Sequence, residues 1–182
     1  MQARCRLVPD TRRIALASLF GAVIFLVKGF LPAPTSDYLI VIEAFLVGLG
    51  YILLGRFGAT YVELVNGLLL TAVKISFAPF SLLLALLFGI MVDGLSSALK
   101  VKRGREVIAK RLAAALMIST GIVGLVAYFT TVVVTHLIPD NATVTMISVS
   151  VLVFGTVSGA AAGWLAARIW NRNLMARFHG KY

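Results

Sequence analysis

Five ionisable side chains fall inside long apolar stretches of this 182-residue chain: Lys28, Glu43, Glu63, Lys74 and Asp93. A charge surrounded by hydrocarbon is expensive, and such groups are usually paired or put to use. Lys28, Glu43 and Lys74 lie toward one end of their stretches, with Glu43 roughly 9 Å from that end at the rise of a helix. Two ammonium groups and a carboxylate suit a polar or anionic solute. The lysines have an alternative, which is to extend along their stems to the headgroup level. Glu43 has a short stem, which leaves a pocket or an ion pair. Glu63 and Asn66 are three apart and share a helix face. Together with Asp93 they could form a second polar cluster that relays protons or meets a partner. A simple ion pair with Arg56 or Lys100 is the other reading.

The elements that carry these groups follow from composition. Hydrophobic residues make up 60% of the chain and charged residues 13%, with a mean hydropathy of +0.98. A soluble domain averages about 45–50% apolar and about 25% charged residues. The chain is therefore expected to be an all-α integral membrane protein. Apolar runs separated by proline, glycine and basic breaks predict six transmembrane helices, over about 13–31, 37–54, 58–76, 79–99, 107–137 and 143–170. They form one membrane domain over 1–182, with no room for a soluble one. The first run follows Arg12 and Arg13, as in a signal peptide, but it is long, carries Lys28 and precedes five more runs, so a retained helix is expected.

The formal net charge is +10, from 17 basic and 7 acidic residues. Of the 17, 15 fall in the N-terminal tail, the second-to-third and fourth-to-fifth connections and the C-terminal tail. The excess of Lys and Arg on one side places that side, with both termini, in the cytoplasm. Nucleic acid is not an expected partner, because no basic stripe alternates with exposed aromatics. Lipid is. The lone Cys5 cannot form an internal disulfide, and Asn141-Ala142-Thr143 is read as a chance match to a glycosylation acceptor.

An enzyme is not expected. The histidines, His136 and His179, fall on opposite sides of this topology. No His/Glu or paired-Cys metal motif and no phosphate-binding loop occurs, so neither metal nor cofactor is implied. Asp93-Gly94 shares the start of the CDP-alcohol phosphotransferase signature, whose further aspartates are missing.

Two stretches read as packing seams. Gly155, Gly159 and Gly163 recur on one face of the sixth helix. Ala17 with Gly21 and Ser18 with Ala22 do so on the first. Small residues let helix backbones approach in lipid. Packing inside the bundle is the default for both seams, and a docking surface for a partner is the alternative.

Arg13-Ile-Ala-Leu-Ala17-Ser18-Leu-Phe-Gly21-Ala22, with Gly55-Arg-Phe-Gly58 and the run from Pro79 to Gly94, resembles the substrate-binding S component of energy-coupling-factor transporters. The resemblance implies a six-helix, multi-pass protein of the plasma membrane that captures a vitamin-like small molecule from outside. A separate T subunit and two ATPase subunits would energise uptake. It implies docking of the T subunit on Ala17, Ser18, Gly21 and Ala22, here as Ala/Gly and Ser/Ala pairs rather than a strict Ala-x-x-x-Ala. By position it also points to an outer pocket at Pro34, Asp37, Tyr38, Phe80, Tyr128, His136 and Asn141. Lys28, Glu43 and Lys74 join that set on their own chemistry. The aromatics Phe30, Tyr38, Phe77 and Phe80 could stack on a planar ring or form a headgroup belt. A self-contained carrier or channel coupled through Glu63 and Asp93, or a membrane scaffold subunit, are the other readings.

Overall fold

The computed structural model describes residues 11–30, 40–73, 78–103, 106–135 and 141–174. Among these, six α-helices account for nearly everything: α1 (Thr11–Phe30), α2 (Ile40–Leu54), α3 (Gly58–Val73), α4 (Ala78–Ala98), α5 (Ala109–Thr135) and α6 (Asn141–Ile169). A single π-helical turn, Trp170–Leu174, extends α6. Between α4 and α5, β1 (Lys102–Arg103) pairs antiparallel with β2 (Glu106–Val107). This small hairpin was not expected. It delays the start of the fifth helix to Ala109, since Glu106 and Val107 are used in pairing.

Local chemistry sets the helix ends. Pro79 sits in the first turn of α4, where its missing N–H costs nothing. At the end of α2, Gly55 takes a left-handed conformation (φ 81°) and its N–H bonds to the Tyr51 carbonyl at 2.8 Å. Glycine is the usual residue for such a stop. At the end of α4, Val101 N–H reaches the Ser96 carbonyl at 3.0 Å and Lys100 N–H reaches Ser97 at 3.1 Å. These are the two bonds of a Schellman motif. Its left-handed position is filled by Lys100 (φ 49°) rather than by glycine. The Arg111 guanidinium donates to the Leu99 and Lys100 carbonyls, both at 3.1 Å, and so covers the same helix end.

Four helical stretches are long and apolar enough to cross a membrane: Thr11–Phe30, Pro79–Ala98, Ala109–Thr130 and Ser148–Asn173. Helices α2 and α3 are apolar but have 15 and 16 residues. That corresponds to about 22–24 Å, short of a hydrocarbon core of about 30 Å. The expected spans at 37–54 and 58–76 are therefore shorter as described helices, and their remaining residues lie outside the description.

Helix α2 is the inner helix. From Val47 to Leu53 every residue is buried. Around it α1 packs on α3, α3 on α4, α4 on α5 and α5 on α6, and α2 touches each of them. Large apolar side chains such as Leu19, Leu26, Leu83, Ile90, Val153 and Val157 point outward from the surrounding helices. A water-soluble bundle would reverse that pattern, whereas lipid accepts it.

Glycine permits the tightest of these approaches. A Cβ on Gly21 of α1 would lie 2.7 Å from the Val62 carbonyl oxygen of α3. On α6, a Cβ on Gly163 would meet the Ala113 backbone at 2.6 Å, and one on Gly159 would overlap Thr120 Oγ1. Both small-residue seams are thus used inside the chain.

The basic connections gather at one end. Lys102 Nζ of the hairpin donates to the Ile52 carbonyl near the end of α2 at 2.8 Å. Arg13, near the start of α1, is close enough to act on the charge of Lys102. The Asn171 amide pairs with Val107 like a neighbouring strand, accepting from its N–H at 3.1 Å and donating to its carbonyl at 2.8 Å. The beginning of α1, the α2–α3 turn, the hairpin and the end of α6 therefore share one end of the bundle.

Candidate functional site

Helices α1, α2 and α3 bring together four polar residues from three parts of the chain. Lys28 lies near the end of α1 and Glu43 in the first turn of α2. The Lys28 ammonium donates to Glu43 Oε1 at 2.5 Å, with the lysine half-buried and the glutamate buried. Glu63 and Asn66 of α3 are both 0% exposed. Asn66 Nδ2 donates to Glu63 Oε2 at 2.9 Å. Glu63 in turn interacts electrostatically with both Glu43 and Lys28.

The cluster contains one ammonium and two carboxyl groups. Its inventory is uneven in a second way: Glu63 Oε1 and Asn66 Oδ1 are buried acceptors without a donor among the described residues. Buried polar atoms are normally satisfied, so each exception needs an explanation. The four groups can hold a charge, accept hydrogen bonds and hold or pass a proton. They include no nucleophile of the serine or cysteine kind.

Sequence spacing put Glu63 in the opposite half of the bundle from Lys28 and Glu43, in company with Asp93. The structure corrects this. Glu63 lies on the face of α3 that carries Val62 and Asn66 and packs against α1 and α2, within electrostatic reach of Glu43 and Lys28. Asp93 turns instead to the first turn of α3. Its carboxylate accepts from Ala59 N–H at 3.1 Å, Thr60 N–H at 2.8 Å and Thr60 Oγ1 at 2.6 Å. These N–H groups have no partner within their own helix, and a carboxylate also matches the positive end of the helix dipole. Asp93 is thus a cap supplied by another helix, rather than a member of a cluster with Glu63 and Asn66 or of an ion pair with Arg56 or Lys100. No local pattern announced this contact, because its partners are more than thirty residues apart.

The other expected residues are dispersed. Phe80, 41% exposed, lies at the start of α4. Tyr128 of α5 is half-buried and stacks edge-on against Phe129 at 5.5 Å. Neither belongs to the four-residue set. Pro34, Asp37, Tyr38, Lys74 and His136 lie outside the described residues. Asn141 opens α6 rather than lying in the preceding connection, and its side chain is outside the description.

Ala17 and Gly21, for which the resemblance implied a docking face, are both buried, and Gly21 lies against Val62 and Val65 of α3. Ser18 Oγ shares a 2.8 Å hydrogen bond with Tyr61 OH, and Ala22 is half-buried. The seam is therefore occupied by α3 within this chain, which leaves the outward stripe of α1 at Ala15, Leu19 and Leu26 uncovered.

A second polar group lies at the basic end. The residue Lys102 is exposed overall, but its ammonium turns in over the Tyr51 ring, 5.3 Å from the ring centre. Loss of water lowers its pKa to about 8, Arg13 pushes in the same direction, and Asp93 opposes. Its bond to the Ile52 carbonyl covers one of the unpaired carbonyls at the end of α2.

No protein-family model, no curated protein and no solved structure matches this chain.

Proposed function

We propose that this protein is a membrane-embedded binding subunit for a small polar solute, of the S-component kind. In this reading all six helices cross the plasma membrane and both termini are cytoplasmic. The solute enters from the side opposite the basic end, and T and ATPase subunits supply the energy. The Lys28–Glu43–Glu63–Asn66 cluster, buried except for the half-buried Lys28, carries the reading. Close packing of helices in lipid requires only small apolar residues. Keeping three ionisable groups inside the bundle has a cost that a binding or transport role explains. Lys28 near the end of α1 and Glu43 near the start of α2 flank, in sequence, the segment bearing Pro34, Asp37 and Tyr38, which in this reading would cover the solute. Lys28 and Glu43 would offer it one donor and one acceptor group.

Docking of a T subunit would use the outward stripe of α1, with Ser18 and Ala22 at its edge, since α3 fills the Ala17/Gly21 side. The orphaned acceptors of Glu63 and Asn66 favour one second reading, a self-contained carrier coupled to protons. Mass spectrometry of small molecules released from the detergent-purified protein tests the proposal. A stoichiometric solute, lost in Lys28→Met and Glu43→Gln, supports it. Lipid alone, with uptake by liposomes containing only this chain, would replace it by the carrier reading.

A further inference from the structure

The two orphaned oxygens lie on partners that are already joined. A carboxylic acid and a primary amide can pair through two hydrogen bonds: amide N–H to acid carbonyl, and acid O–H to amide carbonyl. Asn66 Nδ2 to Glu63 Oε2, at 2.9 Å, is the first of these bonds. Glu63 Oε1 and Asn66 Oδ1, both buried and without a hydrogen-bond partner among the described residues, are the two atoms that the second bond would join. A single hydrogen atom supplies what both lack.

We propose that Glu63 is held as a carboxylic acid, so that the Glu63–Asn66 pair is a proton-binding site inside the bundle. The surrounding charges agree. From α1 the facing group is Lys28, and it is engaged by Glu43. From α2 it is Glu43, which is paired with Lys28 and whose carboxylate also acts directly on Glu63. From α4 the nearest acidic group on the packed face is Asp93, which is committed to Ala59 and Thr60. Among the described residues of the cluster, an ionised Glu63 would add a second carboxylate to one ammonium, at a position fully closed to water. Loss of the proton removes one hydrogen bond and makes Glu43 and Glu63 compete for Lys28. Protonation is thereby coupled to the packing of α1 on α2 and α3.

Infrared spectroscopy tests this on the intact protein. The chain contains three glutamates, Glu43, Glu63 and Glu106. Glutamate with heavy carbon in its side-chain carboxyl therefore marks only these three side chains against four aspartates. At neutral pH the expected result is a carboxylic-acid carbonyl band that shifts with the label and is absent from Glu63→Gln. Glutamine keeps the shape of the acid and can make both bonds to Asn66, so this variant is expected to melt close to wild type. A labelled wild-type spectrum with only ionised carboxylate bands overturns the proposal, whether or not the variant folds. So does an acid band that survives in Glu63→Gln. The readout needs no solute and no partner subunit, so its failure is separate from failure of the solute-binding reading.

Discussion

At the scale of single residues, two polar contacts at the basic end have measurable consequences. Asp93 is the acceptor for three donors in the first turn of α3. Asp93→Ala leaves those donors without an acceptor, at a cost of about 1–3 kcal/mol. A lower melting temperature in detergent is expected, with Asp93→Asn falling between the two. Lys102 acts through pH. Its pKa is lowered from 10.5 to about 8, mainly by burial of the ammonium. Between these values the unfolded chain binds a proton that the folded chain has released. Stability therefore rises with pH across that window, and the slope vanishes below it, where both states are protonated. Melting curves of wild type should show this rise, and those of Lys102→Met should be flatter. A rise that persists unchanged in Lys102→Met would assign it to another group.

Among the elements, the helix seams show what the sequence made legible. The spacing of Gly155, Gly159 and Gly163 identified a shared face, and α5 packs directly on it. Thr120 sits in this seam, with Oγ1 2.6 Å from the Gly155 carbonyl and 2.7 Å from the Leu116 carbonyl, so that its single hydrogen is shared between them or serves either one. Gly159→Val would force a side chain into Thr120 and the Leu116 backbone, and overpacking of this kind costs about 1–3 kcal/mol. Loss of monodisperse protein on size-exclusion chromatography, or a clear drop in melting temperature, is expected. The same variant at Gly94, where an added Cβ meets nothing within 4 Å, should be nearly neutral to packing. Six helical runs could be read from hydropathy, and Glu63 with Asn66 from helical spacing. The partnership of Glu63 with Lys28 and Glu43 could not, because it depends on how three helices separated in sequence pack on one another. Depth counted along one helix cannot supply that arrangement. The cap of Asp93 on α3 was hidden for the same reason, and the turn at Lys100 because the left-handed position there is not filled by glycine.

For the whole molecule, the decisive quantity is how many helices cross the bilayer, and the structure narrows the experiment. The α2–α3 turn is tied to the hairpin by Lys102 and Ile52, and the hairpin to the end of α6 by Asn171. If four helices cross and these contacts hold, α2 and α3 must still bring residues 55–57 to the basic end. Arg56 is exposed there, which makes it a reporter of depth. The natural chain has a single cysteine, Cys5, in the N-terminal tail. With Cys5 as one probe, and Arg56→Cys or Asp140→Cys in a Cys5→Ser background as others, a membrane-impermeant thiol reagent reads each position from either side. In intact cells Asp140→Cys should react, whereas Cys5 and Arg56→Cys should react only after the membrane is opened. Reaction of Arg56→Cys in intact cells would place the α2–α3 turn on the outer side, leaving the basic end without the retention in the cytoplasm that its charge predicts. Reaction of Cys5 and Asp140→Cys from the same side would remove the odd number of crossings between them, and with it the six-span topology. Labelling from opposite sides, with Arg56→Cys on the side of Cys5, would instead place the buried cluster of α1, α2 and α3 between the basic end and the outer surface. A solute arriving from outside could then reach Lys28 without crossing the apolar core of α2.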